Sequence, residues 1–275
     1  MFGYLSSKKY RCIAWSAAGA AVVASAGIVG QTPVAAADWP KQKTYTGQAF
    51  DTCATPSRKV MKAWKGGRYG AAAVYIGGRN RACAQPNLTR SWVKSVHSMG
   101  WKLIPVYVGV QPNCKPGSAG KALADSAAAS KGTKDAKDAV AKTSALGMKK
   151  GSPIFLDMEP AAGTKPSCND LVLKYVRAFT KELRSKTYRA GFYGPAATTA
   201  KAVATASNRK DLPGNLWYAL WNKKNTTTAD WPYKKSLYKN HSRGHQYMRH
   251  SKETRRGHAL TVDRNAWDAP VAIIG

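Results

Sequence analysis

The chain has 275 residues and carries 44 Lys and Arg against 14 Asp and Glu, a formal net charge of +30. Hydrophobic residues make up 44% and charged residues 21%, which excludes a disordered or collagen-like chain. The charge implies an anionic environment or partner, such as wall polymers, acidic lipid surfaces or nucleic acid, but specifies no reaction.

Residues 1–37 read as a signal peptide. Lys8, Lys9 and Arg11 precede an Ala/Gly/Val-rich apolar run over Ile13–Val29, and Ala35-Ala36-Ala37 supplies a small-residue cleavage site before Asp38. No twin-arginine pair is present, so general secretion is the simpler route, with an uncleaved anchor as the alternative. Cleavage removes three positive charges and no acid, so +30 falls by three to +27. The expected location is extracellular, free or associated with the cell wall, with no membrane span once the signal is cleaved. Cys12 leaves with the signal, and Cys53, Cys83, Cys114 and Cys168 remain. In an oxidising compartment they favour two disulfides, with three pairings open. There is no C-x-x-C, so no zinc pattern.

Strand-like and helix-like stretches then alternate. Gly47–Asp51 is a strand ending in an acid, and Pro56–Trp64 a helix with Ser57 as an early cap and Val60, Met61 and Trp64 at helical spacing. Ala72–Ile76 is a buried strand stopped by Gly77-Gly78. Leu88–Met99 is a helix capped by Asn87, with Trp92, Val93 and Val96 on one face and Gly100 at its end. Lys102–Val108 is strand. Within the Ala/Lys/Ser-rich stretch 115–150, a loop precedes a helix over Thr133–Leu146. Pro153–Leu156 is strand, running into Asp157-Met158-Glu159, and Ser167 with Asp170 makes a capping box for a helix over Leu171–Leu183. Arg189–Tyr193 is strand, Ala196–Ala206 helix, and Leu216–Trp221, His245–Met248 and Leu260–Asp263 the last strands.

Eight strands, mostly separated by helices, specify an α/β fold: a single (β/α)8 TIM-type barrel over residues 38–275, with irregular last helices. A doubly wound open sheet is the alternative, but no Gly-rich phosphate loop follows the first strand. Four of the few acids, Asp51, Asp157, Glu159 and Asp263, fall at C-terminal ends of predicted strands, where barrels of this type collect catalytic groups. Asp157 and Glu159 are two apart, hence on one face. Close carboxylates in a partly dry pocket cannot both ionise freely, so one can serve as the protonated acid that glycosidic cleavage requires. The competing structural reading has the four paired to Arg79, Arg81 or Arg264. No cofactor and no metal are expected: no His lies near these strand ends, and His241, His245, His250 and His258 fall in a basic stretch. Tyr75, Tyr107, Tyr193, Trp217 and Trp221, with Gln111 and Gln246, are placed at the same mouth as sugar-binding groups, although ordinary core packing explains any single aromatic equally well. There is no G-x-S-x-G elbow for serine chemistry.

The segments AFDTCATPS (49–57), YIGGRNRAC (75–83), GWKLIPVYVGVQ (100–111) and FLDMEP (155–160) together resemble a secreted actinobacterial group, the glycoside-hydrolase-like domain of unknown function 1906, or Rv2525c-like group. The likeness continues through AGFYGP (190–195), LWYALW (216–221) and VDRNAWD (262–268). Such domains are similar in fold to the family 25 lysozymes, which cleave peptidoglycan. The resemblance implies that Asp51, Asp157, Glu159 and Asp263 are active-site positions, with Glu159 the general acid. Asp157 would orient a substrate acetamido group that attacks in place of an enzyme nucleophile. YIGGRN and the four cysteines depart from the lysozymes. With Cys53 and Cys83 after strands one and two, and Cys114 and Cys168 after strands three and four, the expected pairs are Cys53–Cys83 and Cys114–Cys168. The expectation is a secreted hydrolase of cell-wall polysaccharide; the alternative is a non-catalytic envelope-binding protein that keeps the groove. Another anionic envelope polymer is a possible partner, and no specific nucleic acid is expected.

Overall fold

A computed structural model describes residues 39–112, 125–159 and 168–275. Its eight strands are β1 (Thr44–Asp51), β2 (Tyr69–Gly77), β3 (Lys102–Val108), β4 (Pro153–Asp157), β5 (Arg189–Pro195), β6 (Asn215–Ala219), β7 (Arg243–Arg255) and β8 (His258–Pro270). They close into a barrel in sequence order. Helices α1 (Arg58–Trp64), α2 (Arg90–Ser98), α3 (Ala128–Ala145), α4 (Cys168–Ser185) and α5 (Thr199–Thr205) connect the strands up to β6. The barrel of the expected class is therefore present. Its last strand differs from a regular one, because β8 runs antiparallel to both β7 and β1. Arg256-Gly257 turns β7 into β8, and Gly257 adopts the left-handed conformation such a tight turn needs. Both strands are thus much longer than His245–Met248 and Leu260–Asp263, since their outer halves pair only with each other and carry polar residues that mask a strand signal.

Period-2 alternation divides the apolar residues into two layers. Ala49, Ala71, Ile104, Val106, Phe155, Trp217 and Trp267 fill the barrel interior. Phe50, Leu103, Leu156, Phe192 and Leu216 face outward against the helices. There Phe50, Trp64, Tyr69 and Trp101 form an aromatic cluster with centroids 5.3–6.1 Å apart. The buried indoles are satisfied: Trp92 Nε1 donates to Pro56 O at 2.8 Å and Trp101 Nε1 to Met61 O at 3.1 Å.

Local signals explain the helix ends. Ser57 Oγ accepts from Val60 N–H at 3.3 Å and caps α1, as its sequence position suggests. The cap of α2 is Thr89 rather than Asn87: Thr89 Oγ1 accepts from Trp92 N–H at 3.1 Å, while Asn87 Nδ2 is committed to Thr55 O at 2.9 Å. Helix α3 begins five residues before the expected Thr133, running through Gly132. A Cβ at Gly132 would collide with the Tyr175 carbonyl of α4, so this glycine serves close helix packing rather than a stop. Ser167 of the proposed capping box lies outside the described residues.

Cys53 and Cys83 form a disulfide, Cα atoms 5.6 Å apart, joining the loops after β1 and β2. Cys168 is disulfide-bonded; its expected partner Cys114 lies outside the described residues. The first bridge closes a loop of sequence separation 30. Cys53→Ser with Cys83→Ser should therefore lower unfolding free energy by about 3–4 kcal/mol on the chain-entropy account. Urea denaturation of the two proteins checks this, and an unchanged midpoint would contradict it.

Candidate active site

Four carboxylates meet at one end of the barrel. Asp51 and Asp157 terminate β1 and β4 with side chains inward, each two residues beyond an interior residue, Ala49 and Phe155. Glu159 follows two residues after Asp157, held by its backbone N–H donating to Gln111 Oε1. Gln111 Nε2 in turn donates to the carbonyls of Gly109 and Asp157, both at 3.1 Å. Asp263 is not at a strand end, contrary to its sequence reading. It lies within β8, directly opposite Asp51, and reaches the mouth because β8 runs in the reverse sense. All four line a cavity of about 510 Å³ with Tyr75, Asn80, Arg81, Gln111 and His250.

None of the four is in an ion pair among the described residues. Arg264 is taken by Glu253 at 2.7 Å, and Arg81 Nη1 donates to Tyr75 O at 3.3 Å. Asp51 is 3% exposed and accepts from Tyr75 Oη at 3.0 Å, Asn265 Nδ2 at 2.8 Å and Gln246 Nε2 at 3.1 Å. Burial and then the Asp263 charge push its pKa up to about 7, against the pull of those three donors. Asp157, 5% exposed, has no hydrogen-bond partner at Oδ1. Burial, then Glu159 and Asp51, raise its pKa well above the usual carboxylate range. Glu159 and Asp263 are also raised, first by burial; Arg249 opposes both shifts, and the His250 N–H, 2.6 Å from Asp263 Oδ1, opposes the second. That N–H is aimed by the break in β7–β8 register between Met248 and Ser251. Burial is thus the first cause that pushes each of the four toward its protonated form, with Glu159 the more exposed of the DxE pair.

The other expected residues divide. Tyr75 and Gln111 line the cavity. Gln246 sits beneath it as a hub: its Oε1 accepts from Tyr193 Oη and Trp221 Nε1, both at 2.9 Å, while its Nε2 donates to Asp51 and, at 3.5 Å, to Asp263. Trp221 is the large apolar side chain that remains exposed among the described residues, at 44%, with the Arg249 guanidinium 4.0 Å from its ring. Trp217 is correctly on the inner face but too deep; it is buried in the interior layer, its Nε1 2.8 Å from Asn265 Oδ1. Tyr107 is misplaced by the sequence reading. Val106 is the inward residue of that pair, so Tyr107 faces α3 and donates to Asp138 Oδ2 at 2.9 Å. Asn265 and Arg249 went unassigned; Asn265, two residues after Asp263 in β8, shares its face and was discoverable on period alone.

Comparison with solved structures finds the same fold at low identity. An uncharacterized B. stearothermophilus protein matches with a TM-score of 0.54 and 19% identity, covering 80% of this chain and 95% of that one. The Mycobacterium tuberculosis Tat-secreted protein Rv2525c, in complex with L-tartrate, matches with a TM-score of 0.54 and 18% identity over 81% and 96%. The Clostridium perfringens spore cortex lytic enzyme SleM matches with a TM-score of 0.53 and 13% identity over 83% and 69%. No curated protein sequence matches. The family model for the Rv2525c-like, glycoside hydrolase-like domain matches residues 62–267, a span that includes Asp157, Glu159 and Asp263, and the chain belongs to that family.

Proposed function

We propose that residues 38–275 form a secreted glycoside hydrolase of cell-wall polysaccharide, a peptidoglycan-type glycan bearing acetamido groups, with residues 1–37 as the cleaved signal. The observation that carries this is the convergence in one cavity of four carboxylates, none in an ion pair among the described residues, where burial favours their protonated forms. Glu159, the more exposed of the DxE pair, gives its proton to the glycosidic oxygen as the bond to the anomeric carbon breaks. The substrate's acetamido oxygen bonds to that carbon from the opposite face. The acetamido N–H donates to Asp157 Oδ1, which lacks a partner in the free protein; Asp157 gives up its proton to solvent as substrate binds, and its carboxylate then offsets the positive charge that develops on the acetamido group. Water, deprotonated by the Glu159 carboxylate, then opens the cyclic intermediate. Asp51 and Asp263, fixed by Gln246 and Asn265, bound the sugar site, and Tyr75, Tyr193 and Gln111 add polar contacts.

The test is release of new reducing ends by secreted residues 38–275 from purified walls and from soluble chitin-type and glucan oligosaccharides, read by mass spectrometry. Product identifies the bond. Retention on walls without product would make this a binding module on an enzyme fold and overturn the proposal. Because Arg249 holds the Glu159 pKa down, Arg249→Gln should move the alkaline limb of the activity profile to higher pH, measured as kcat/KM against pH. A limb unmoved or moved to lower pH would contradict that assignment.

A further inference from the structure

The carboxylate mouth leaves the large positive charge unexplained, and the opposite end of the barrel accounts for part of it. Exposed Lys41, Lys43, Lys150, Lys210 and Lys239 sit in segments that lead into β1, β4, β6 and β7, and none is in an ion pair among the described residues. Amid these segments lies a second cavity, of about 260 Å³, lined by Trp39, Gln42, Arg184, Arg189, Asn215 and Ser242.

Arg189 is the unusual member. It begins β5, its Nη2 donates to Pro40 O at 3.1 Å, and its guanidinium lies 5.2 Å from the Trp39 ring centroid. No carboxylate pairs with it among the described residues, and its Nε is buried without an acceptor. Its partial burial lowers its pKa. Arg184 adds a second guanidinium, partly offset by Asp211 at 3.8 Å. A pre-positioned, uncompensated guanidinium in a recess, with amide and hydroxyl groups beside it, suits a tetrahedral oxyanion.

We propose that this cavity binds a phosphate group of a linear polymer of phosphate groups, with Arg189 as principal ligand and the surrounding lysines following the neighbouring charges. A lipid surface is the weaker fit to the same chemistry. The exposed large apolar side chain among the described residues, Trp221, is at the opposite end, so this face offers none to insert into a bilayer. The site is independent of the hydrolase reading, since it shares no residue with the carboxylate cavity.

The probes are long-chain polyphosphate, orthophosphate and phosphatidylglycerol vesicles, titrated against residues 38–275 at several salt concentrations. Polyphosphate should bind with strong salt dependence, and orthophosphate should compete with it. Arg189→Gln should weaken polyphosphate binding about tenfold, flatten its salt dependence and abolish the competition. Lys131→Gln, on α3 and away from this face, should change little. The exposed pair Lys41→Gln with Lys150→Gln gives a second reading free of folding effects and should also weaken binding. Equal binding by wild type and both base variants, an equal loss in Lys131→Gln, or preference for the vesicles would each overturn the proposal.

Discussion

Glu159→Gln should lower turnover on a cell-wall glycan by about 10²- to 10⁴-fold, the range expected when a general acid is removed. Gln keeps the size and planarity of Glu and the backbone N–H bond to Gln111 is untouched, so the site's shape survives while its transferable proton does not. The loss should fall on kcat rather than KM, because the proton moves only in the transition state. Asp157→Asn should fall by a comparable factor, since an amide there cannot compensate the charge developing on the acetamido group. The two variants differ in pH dependence: the alkaline limb belongs to Glu159 and should persist in Asp157→Asn. Steady-state kinetics on a soluble oligosaccharide measure all of this. Full activity in Glu159→Gln would remove that residue from the chemistry.

How much of this was legible in the sequence depended on which physical signal each residue carried. The inward acid of β4 ends a short apolar strand and that of β1 follows the buried Ala49 and Phe50, so period and position placed them. Asp263 was identified for the wrong reason: a strand of four residues seemed to end there, whereas it lies inside a thirteen-residue strand. Nothing in HSKETRRGHALT marks a hairpin by hydrophobicity, because its residues pair with one another beyond the barrel wall and few of them, Leu260 among these, pack on the core. Tyr107 shows the opposite failure. KLIPVYV is apolar throughout, as a strand buried on both faces must be, and such a run does not say which of its residues look inward. Gln246 was placed near the site, but its role as a four-partner hub depends on the β6–β7–β8 register, and register is not written in one strand. Cys53 and Cys83 were easier, because adjacent loops on neighbouring parallel strands leave few other partners.

The native protein should become less stable, not more, as pH rises from about 4 to about 7, and Asp51→Asn should remove much of that slope. An unfolded Asp titrates near 3.9, approximately. In the folded protein Asp51 holds its proton up to about 7, so between these values the native state binds more protons than the unfolded chain. Stability contributed by this group is greatest below the unfolded pKa and is lost as pH climbs through the folded one. At about 1.4 kcal/mol per unit, the loss is about 4 kcal/mol. Asp157 acts in the same direction, while buried His245, whose pKa is lowered, acts in the opposite one. His245 is common to both proteins, so the difference between wild type and Asp51→Asn reads the Asp51 carboxyl together with its coupling to Asp157 and Asp263. Asn fits the site: its Oδ1 can accept from Gln246 and Asn265 where Asp51 Oδ2 does, and its Nδ2 can donate to Tyr75 Oη. Urea unfolding at pH 4 and pH 8 should give nearly equal stabilities for the two proteins at the lower pH. At the higher pH the variant should be more stable by a few kcal/mol. A variant less stable than wild type at pH 8 would mean that the ionised carboxylate is favoured by its three donors more than it is disfavoured by burial. Burial would then favour the protonated form at Asp157, Glu159 and Asp263 but not at Asp51. The expected result would instead mean that stability is given up at the floor of the mouth, where a barrel can tolerate the cost because its core lies below.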